Sequence, residues 1–312
     1  MRLPAAPAGW GIPAVKMKVL ETLQDNAIFT VELVDWEGER ALRKTLNAEA
    51  NSRRAKSFKD ELLGMEVFGK LAHTHPEWKL RVPEVYAKGE DWVVREFIEG
   101  SPLLEYDTSL DAARENVAKL AVQLANIDRV EPDATIHEQD DSAPYTNIRG
   151  GFSKWSKQPL AEGLLIQASY DATNALIDDY AGYLMPRYAH GDLNALSHVF
   201  ISDDKRLAWI DFEHFSAHKP RYYDVAYCYS RLFTKAAQPE IAGEFLKNFL
   251  ESAEIVSHQD EQLLAIMAQR AIGMHFDALN DLATGLDYRK RAQDFLARCL
   301  TRRVQNLLDF DV

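Results

Sequence analysis

Cysteine is nearly absent: Cys228 and Cys299 are the only two among 312 residues, too few for a disulfide framework or a cysteine-rich zinc site. Long apolar runs are missing as well. No uncharged stretch approaches the ~18 to 20 residues needed to cross a bilayer, and the opening segment MRLPAAPAGWGIP has proline and glycine where a signal peptide would need an apolar helix. A cytoplasmic protein is expected. Positive charge is in deficit, 36 Lys and Arg against 48 Asp and Glu, for a net charge of −12. A nucleic-acid-binding or anionic-membrane surface would have to be built against that field, so neither partner is expected, and a small cationic ligand suits it better. Apolar residues still make up 46% of the chain, enough for one large core or two modest ones, which excludes dominant disorder.

The first hundred residues read as strands at 15–23, 27–36 and 40–46, short and rich in β-branched or aromatic residues, with turn-like QDN and EGE between them. Residues 52–72 turn helical, with Phe58, Leu62, Met65, Phe68 and Leu71 at steps of three and four. Two more strands are expected at 82–87 and 91–97. The pattern breaks at Ile98-Glu99-Gly100-Ser101-Pro102, and helical periodicity dominates beyond it, over 109–128, 158–186, 237–254, 258–283 and 287–308. A βββαββ domain of residues 1–98 and a mainly helical domain of residues 99–312 follow, an α+β class. Residues 131–150, acidic and then polar, read as a surface loop or a flexible lid.

One β-hairpin interrupts the helical part, at 198–201 and 207–211 around SDDKR, preceded by AHGDLNALS. Asp192, in His190-Gly191-Asp192-Leu193, and Asp211, in Ile210-Asp211-Phe212-Glu213, stand at its two ends, so closing the hairpin brings two carboxylates together. Such a pair suits a hard cation and a proton acceptor, although each aspartate alone reads first as an ordinary turn residue.

His-Gly-Asp-Leu, the hairpin, Ile-Asp-Phe-Glu and then Tyr223-Asp224-Val225-Ala226 resemble, in that order, the aminoglycoside phosphotransferase and choline kinase-like family. The resemblance runs over nearly the whole chain and implies a two-lobed protein-kinase-like fold, with a small antiparallel-sheet N-lobe and a larger helical C-lobe. It implies transfer of the γ-phosphoryl group of ATP, with Mg²⁺, to a hydroxyl of a small molecule such as an aminoglycoside, choline or an amino sugar. Asp192 resembles the catalytic aspartate and Asp211 the magnesium-binding one. Lys44 resembles the strand-three lysine on the nucleotide phosphates, with Arg43 in its place if the register slips by one. Glu61 resembles the ion-pair partner of that lysine, with Glu66 as its rival. Backbone groups near Glu96 and Ile98 would meet the adenine edge. Asp224 would brace the catalytic loop by hydrogen bonds, and His190 and Glu213 take supporting places.

Two positions depart from the family pattern. Its second magnesium ligand, an asparagine five residues after the catalytic aspartate, is replaced by Ser197, or by His198 if the loop carries one extra residue; each is a poorer ligand for a hard ion. No glycine occurs from Ile12 to Glu37, so the loop between the first two strands lacks one, and Asp25 there would repel phosphates. These departures motivate the alternative of a catalytically weak module that binds nucleotide or a partner protein. A protein kinase is disfavoured by Asn194, where a lysine is usual, and by the missing Ala-Pro-Glu segment. Asp277 and Asp281, one helical turn apart, could hold an amine but read first as a solvated face. The basic last helix, from Arg289 to Arg303, reads as salt-bridge chemistry, and Trp92, Trp155 and Trp209 read as packing residues.

Overall fold

The computed structural model describes residues 17–47, 50–105, 108–134, 136, 144–254, 260–280 and 285–308. The elements in chain order are strands β1 (Met17–Asp25), β2 (Phe29–Trp36) and β3 (Glu39–Leu46), helix α1 (Ser52–Thr74), strands β4 (Leu80–Arg81), β5 (Val85–Lys88), β6 (Trp92–Glu96) and β7 (Gly100–Pro102), and helices α2 (Leu110–Asp128), α3 (Pro144–Ala161) and α4 (Gln167–Tyr180). Strands β8 (Pro186–Ala189), β9 (Val199–Ser202), β10 (Leu207–Trp209) and β11 (Ser216–Pro220) follow, then helices α5 (Tyr223–Ser230), α6 (Pro239–Ala253), α7 (Asp260–Asn280) and α8 (Gly285–Leu300). Among the described residues no helix is long and apolar enough to cross a membrane.

The chain divides into two compact units, residues 1–59 with 83–98, and residues 60–82 with 99–312. The change at 98/99 falls where the sequence pattern breaks. Residues 60–82, expected within one continuous 1–98 domain, instead group with the helical unit. The cause is packing: the Phe68 ring lies 5.5 Å from Trp209, 5.3 Å from Phe212 and 6.0 Å from Phe215, and β4 pairs in parallel with β10.

The first unit is a five-stranded antiparallel sheet in the order β1-β2-β3-β6-β5. Alternation sorts its side chains onto two faces. Val34, Ala41 and Val94 bury on one, with Trp36, Tyr86 and Trp92 packed against them. Arg43 shares that face and pairs with Glu32 at 3.6 Å. Lys44 points to the other, where its ammonium sits 4.4 Å from the centre of the Phe29 ring and the side chain is buried. The register therefore separates Lys44 from Arg43. The turn from β1 to β2 closes without glycine because the Asn26 side chain accepts the N–H groups of Ile28 and Phe29 at 2.8 and 2.9 Å, an Asx turn.

In the second unit the expected hairpin of β9 and β10 is the centre of a four-stranded sheet, β4-β10-β9-β7, so strands cover both of its edges. The helices differ from expectation in one stretch. The loop expected over 131–150 gives way to α3 at Pro144, since proline fits the first helical turn and Ile148 and Phe152 bury. The single helix expected over 158–186 is two, α3 and α4, broken where Gly163 takes a left-handed φ of 72°. Helix α2 packs on α6, and α7 lies against α3, α4, α5 and α8. Both cysteines are buried and free.

Candidate active site

The loop 190–198 is pinned from three sides, and each pin has a residue-level cause. Its start is held by the Asp224 carboxylate at the beginning of α5, which accepts the N–H of His190 at 2.6 Å and that of Gly191 at 2.9 Å. Gly191 has φ of 85° and passes so close to the next segment that a Cβ there would lie 2.0 Å from the His214 carbonyl oxygen; only glycine fits. The middle is anchored by buried Leu193 and Ala195. Its end is fixed where the N–H groups of Ser197 and His198 both reach the Asn194 carbonyl, at 3.2 and 2.8 Å.

His190 ties this loop to the far end of the hairpin. Its Nε2 donates to the Ile210 carbonyl at 2.8 Å while its Nδ1 accepts the Asp192 N–H at 3.4 Å, and the Ile210 N–H donates to the His198 carbonyl at 3.0 Å. Full burial pushes the His190 pKa down to about 4, helped by neighbouring His198, so the imidazole stays neutral and keeps this tautomer. The supporting role expected for His190 and the bracing role expected for Asp224 are both present. Burial also raises the Asp224 carboxyl to about 6, against the pull of its two backbone donors.

These ties bring Asp192 and Asp211 to the two nitrogens of one imidazole. His198 Nδ1 stands 4.0 Å from Asp192 Oδ2, and Nε2 stands 3.6 Å from Asp211 Oδ2. Nδ1 also contacts the Asp192 carbonyl oxygen. Ser197 is exposed in the turn before it. Of the two residues considered for the place of the asparagine, it is His198 that lies between the aspartates. Asp211 holds a left-handed φ of 66°, a conformation costly for most L residues and tolerated by aspartate.

Glu61 is buried on α1. Its buried carboxylate gathers with those of Asp211 and Glu213, the ligand oxygens all within 4.8 Å of one another. One turn along α1, Gly64 makes this approach possible: a Cβ there would sit 2.7 Å from Phe212 Cβ and 2.8 Å from Phe215 Cβ. Three carboxylates this close repel unless a cation or protons compensate, and an all-oxygen donor set fits a hard divalent ion such as Mg²⁺. The rival Glu66 is on the exposed side of α1. Glu213, expected only in a supporting place, joins this cluster, and its spacing of two from Asp211 is the signal that the sequence carries.

In the first unit, the N–H of Glu96 donates to the Glu84 carbonyl at 2.8 Å, so that group is committed within the sheet, and Ile98 is buried just beyond β6. Among the more distant candidates, Asp277 pairs with Arg231 at 2.9 Å, while Asp281 lies outside the described residues. Arg298 and Arg302 of the basic C-terminal segment bridge to Asp294 and Asp179, each at 2.9 Å.

The sequence profile of the phosphotransferase enzyme family, known as APH, matches residues 19–260. The chain belongs to this family. It is accordingly a phosphotransferase. Solved structures agree on the fold, which is protein-kinase-like. The GDP and kanamycin complex of APH(2")-IIia is 16% identical with a TM-score of 0.57, covering 92% of this chain and 95% of its own. Choline kinase from Cryptosporidium parvum Iowa II is 13% identical with a TM-score of 0.55, over 93% of this chain and 89% of its own. A putative fructosamine-3-kinase from Haemophilus somnus 129PT is 14% identical with a TM-score of 0.57, over 92% of both chains. No curated protein matches the phosphotransferase in sequence.

Proposed function

We propose that this phosphotransferase takes the γ-phosphoryl group of ATP and passes it to a small-molecule hydroxyl aligned by Asp192. The observation that carries the reading is the convergence of Asp192 and Asp211 on His198, at 4.0 and 3.6 Å, a spacing suited to a proton acceptor next to a phosphate-holding centre. Asp211, Glu213 and Glu61 would hold magnesium, with His198 beside them, and the ion would supply positive charge to the phosphate oxygens. The part-exposed Asp192 carboxylate orients the acceptor hydroxyl and receives its proton, while Asp224 and His190 keep the loop that carries it in register. From the first unit, Lys44 offers a charge to the α- and β-phosphates, and the backbone near Glu96 and Ile98 offers the adenine edge its contacts.

The test is a pair of isosteric substitutions. Asp192→Asn lowers kcat about 10²-fold or more while ATP affinity stays within a few-fold, because the group acts on the acceptor. Asp211→Asn abolishes the Mg²⁺-dependent tightening of ATP in calorimetry. Unchanged turnover in the first variant, or unchanged metal dependence in the second, refutes the assignment.

A further inference from the structure

Solved relatives named for kanamycin, choline and fructosamine draw attention to amine-bearing acceptors, yet two cations of this chain, Arg270 and Lys219, stand against the aromatic side chains of α5. Arg270 on α7 is only 3% exposed. Its guanidinium lies 4.5 Å from the centre of the Tyr227 ring, 4.7 Å from Trp155 and 5.8 Å from Tyr223, and it reaches the Tyr223 hydroxyl at 3.4 Å. Among the described residues its Nε is buried with no hydrogen-bond partner, and no carboxylate lies within 4.0 Å of it. A buried cation with no counter-ion is costly in a finished core, and the cost is relieved when an anion arrives.

A second cation stands against the same aromatic wall. The Lys219 ammonium lies 4.9 Å from the centre of the Tyr223 ring, and its hydrogen-bond partner is the neutral Asn147 Oδ1 at 3.0 Å. The aromatic wall connects both cations to the reaction centre, because the Tyr227 hydroxyl, its pKa raised by burial first and by the nearby Asp192 carboxylate as well, accepts Arg231 Nη2 at 2.9 Å. Arg231 is itself neutralised by Asp277, which removes that carboxylate as an amine holder. Trp155, Lys219 and Asp192 are all part-exposed, so the group has a solvent-facing side.

We infer that the acceptor bears an oxyanion, a carboxylate or phosphate group, bound by Arg270 and Lys219 against the Tyr223 ring while its hydroxyl meets Asp192. This rests on the kinase reading above and adds the charge of its substrate. An amine elsewhere on the acceptor is compatible with this; the anionic group is what Arg270 and Lys219 select.

The experiment uses the purified full-length protein, ATP, Mg²⁺ and matched hydroxyl compounds: glycerate and glycerol, serine and ethanolamine, gluconate and glucose, and glycerol 3-phosphate against glycerol. Phosphorylated product is read by mass spectrometry. Calorimetry of ATP binding comes first, and no binding at all overturns the kinase reading itself and this inference with it. With ATP bound, the anionic member of an accepted pair is favoured at least about 10-fold in kcat/KM, the scale of one charge-assisted contact; the carboxylate and phosphate pairs tell which oxyanion is taken. Arg270→Gln and the half-buried Lys219→Gln each erode that preference through KM of the anionic member, with kcat changing less. If Arg270→Gln fails to fold, Lys219→Gln decides. Preference for the neutral or amine-only members, a preference that neither substitution moves, or no product from any anionic compound overturns the inference.

Discussion

The pair Asp128–Arg221 allows a stability prediction with a worked magnitude. Arg221 Nε donates to both carboxylate oxygens of Asp128 at 3.0 and 2.8 Å, and Nη2 donates to Oδ2 at 2.6 Å. The two side chains are 14% and 6% exposed, so the pair is held mostly away from water. The residue after Arg221, Tyr222, has a left-handed φ of 70° and leads directly into Tyr223 and Asp224, the brace of the catalytic loop. Arg221→Met keeps much of the side-chain volume but leaves the Asp128 charge buried without its guanidinium, a loss of about 3–5 kcal/mol. Among the described residues the Asp128 carboxylate has no second side-chain donor, since Arg187 is held by the carbonyls of Asp128 and Pro186, each at 2.8 Å. At about 2–4 °C per kcal/mol for a unit of this size, Tm falls by roughly 6–20 °C. Removing both charges in Asp128→Leu/Arg221→Met restores most of the loss, because the desolvation cost disappears with the pair. Calorimetric melts of the four proteins at neutral pH form the double-mutant cycle. A single variant melting within 2 °C (about 1 kcal/mol) of the parent, or a double variant no more stable than the single, would refute the reasoning.

Three further outcomes are expected. Because burial raises the Asp224 carboxyl to about 6, it takes up a proton as pH drops through that value and weakens its hold on the His190 and Gly191 N–H groups; kcat therefore falls with falling pH there, and Asp224→Asn removes this limb while lowering kcat at pH 8. A wild-type profile flat from pH 5 to 7 counts against it. His198→Asn replaces imidazole with an amide oxygen between the two aspartates and lowers the Mg²⁺ concentration needed for half-maximal turnover several-fold, and an unaltered titration places His198 outside the cation's reach. Gly191→Ala forces a Cβ to within 2.0 Å of the His214 carbonyl at a left-handed φ, so it costs about 2 kcal/mol or more of stability and at least about tenfold in kcat; a variant with parental melting and turnover shows the loop to be more tolerant than its geometry implies.

What the sequence determined by itself was whatever local pattern and ordered motifs encode. Alternation and helical spacing located β1 to β3 and α1 to within a few residues, because side-chain burial follows period two in strands and 3.6 in helices. The hairpin between Asp192 and Asp211 was legible because its turn chemistry is local, and Asp224 could be assigned its bracing role from its place in Tyr-Asp-Val-Ala. Tertiary structure decided what depends on partners distant in the chain. Which of Lys44 and Arg43 lies on the Phe29 face came from pairing with β2 and β6, and which of Ser197 and His198 lies between the two aspartates from where the loop ends against the Ile210 backbone. Residues 60–82 joined the helical unit because Phe68 and Leu80 found their neighbours near position 209, and Glu61 met Asp211 and Glu213 because Gly64 let a helix come within contact of Phe212. The setting of Arg270, with no carboxylate partner among the described residues, is of the same kind: a lone arginine in a helical sequence says nothing of its counter-ion, and only the packing of α3, α5 and α7 sets three aromatic rings around it.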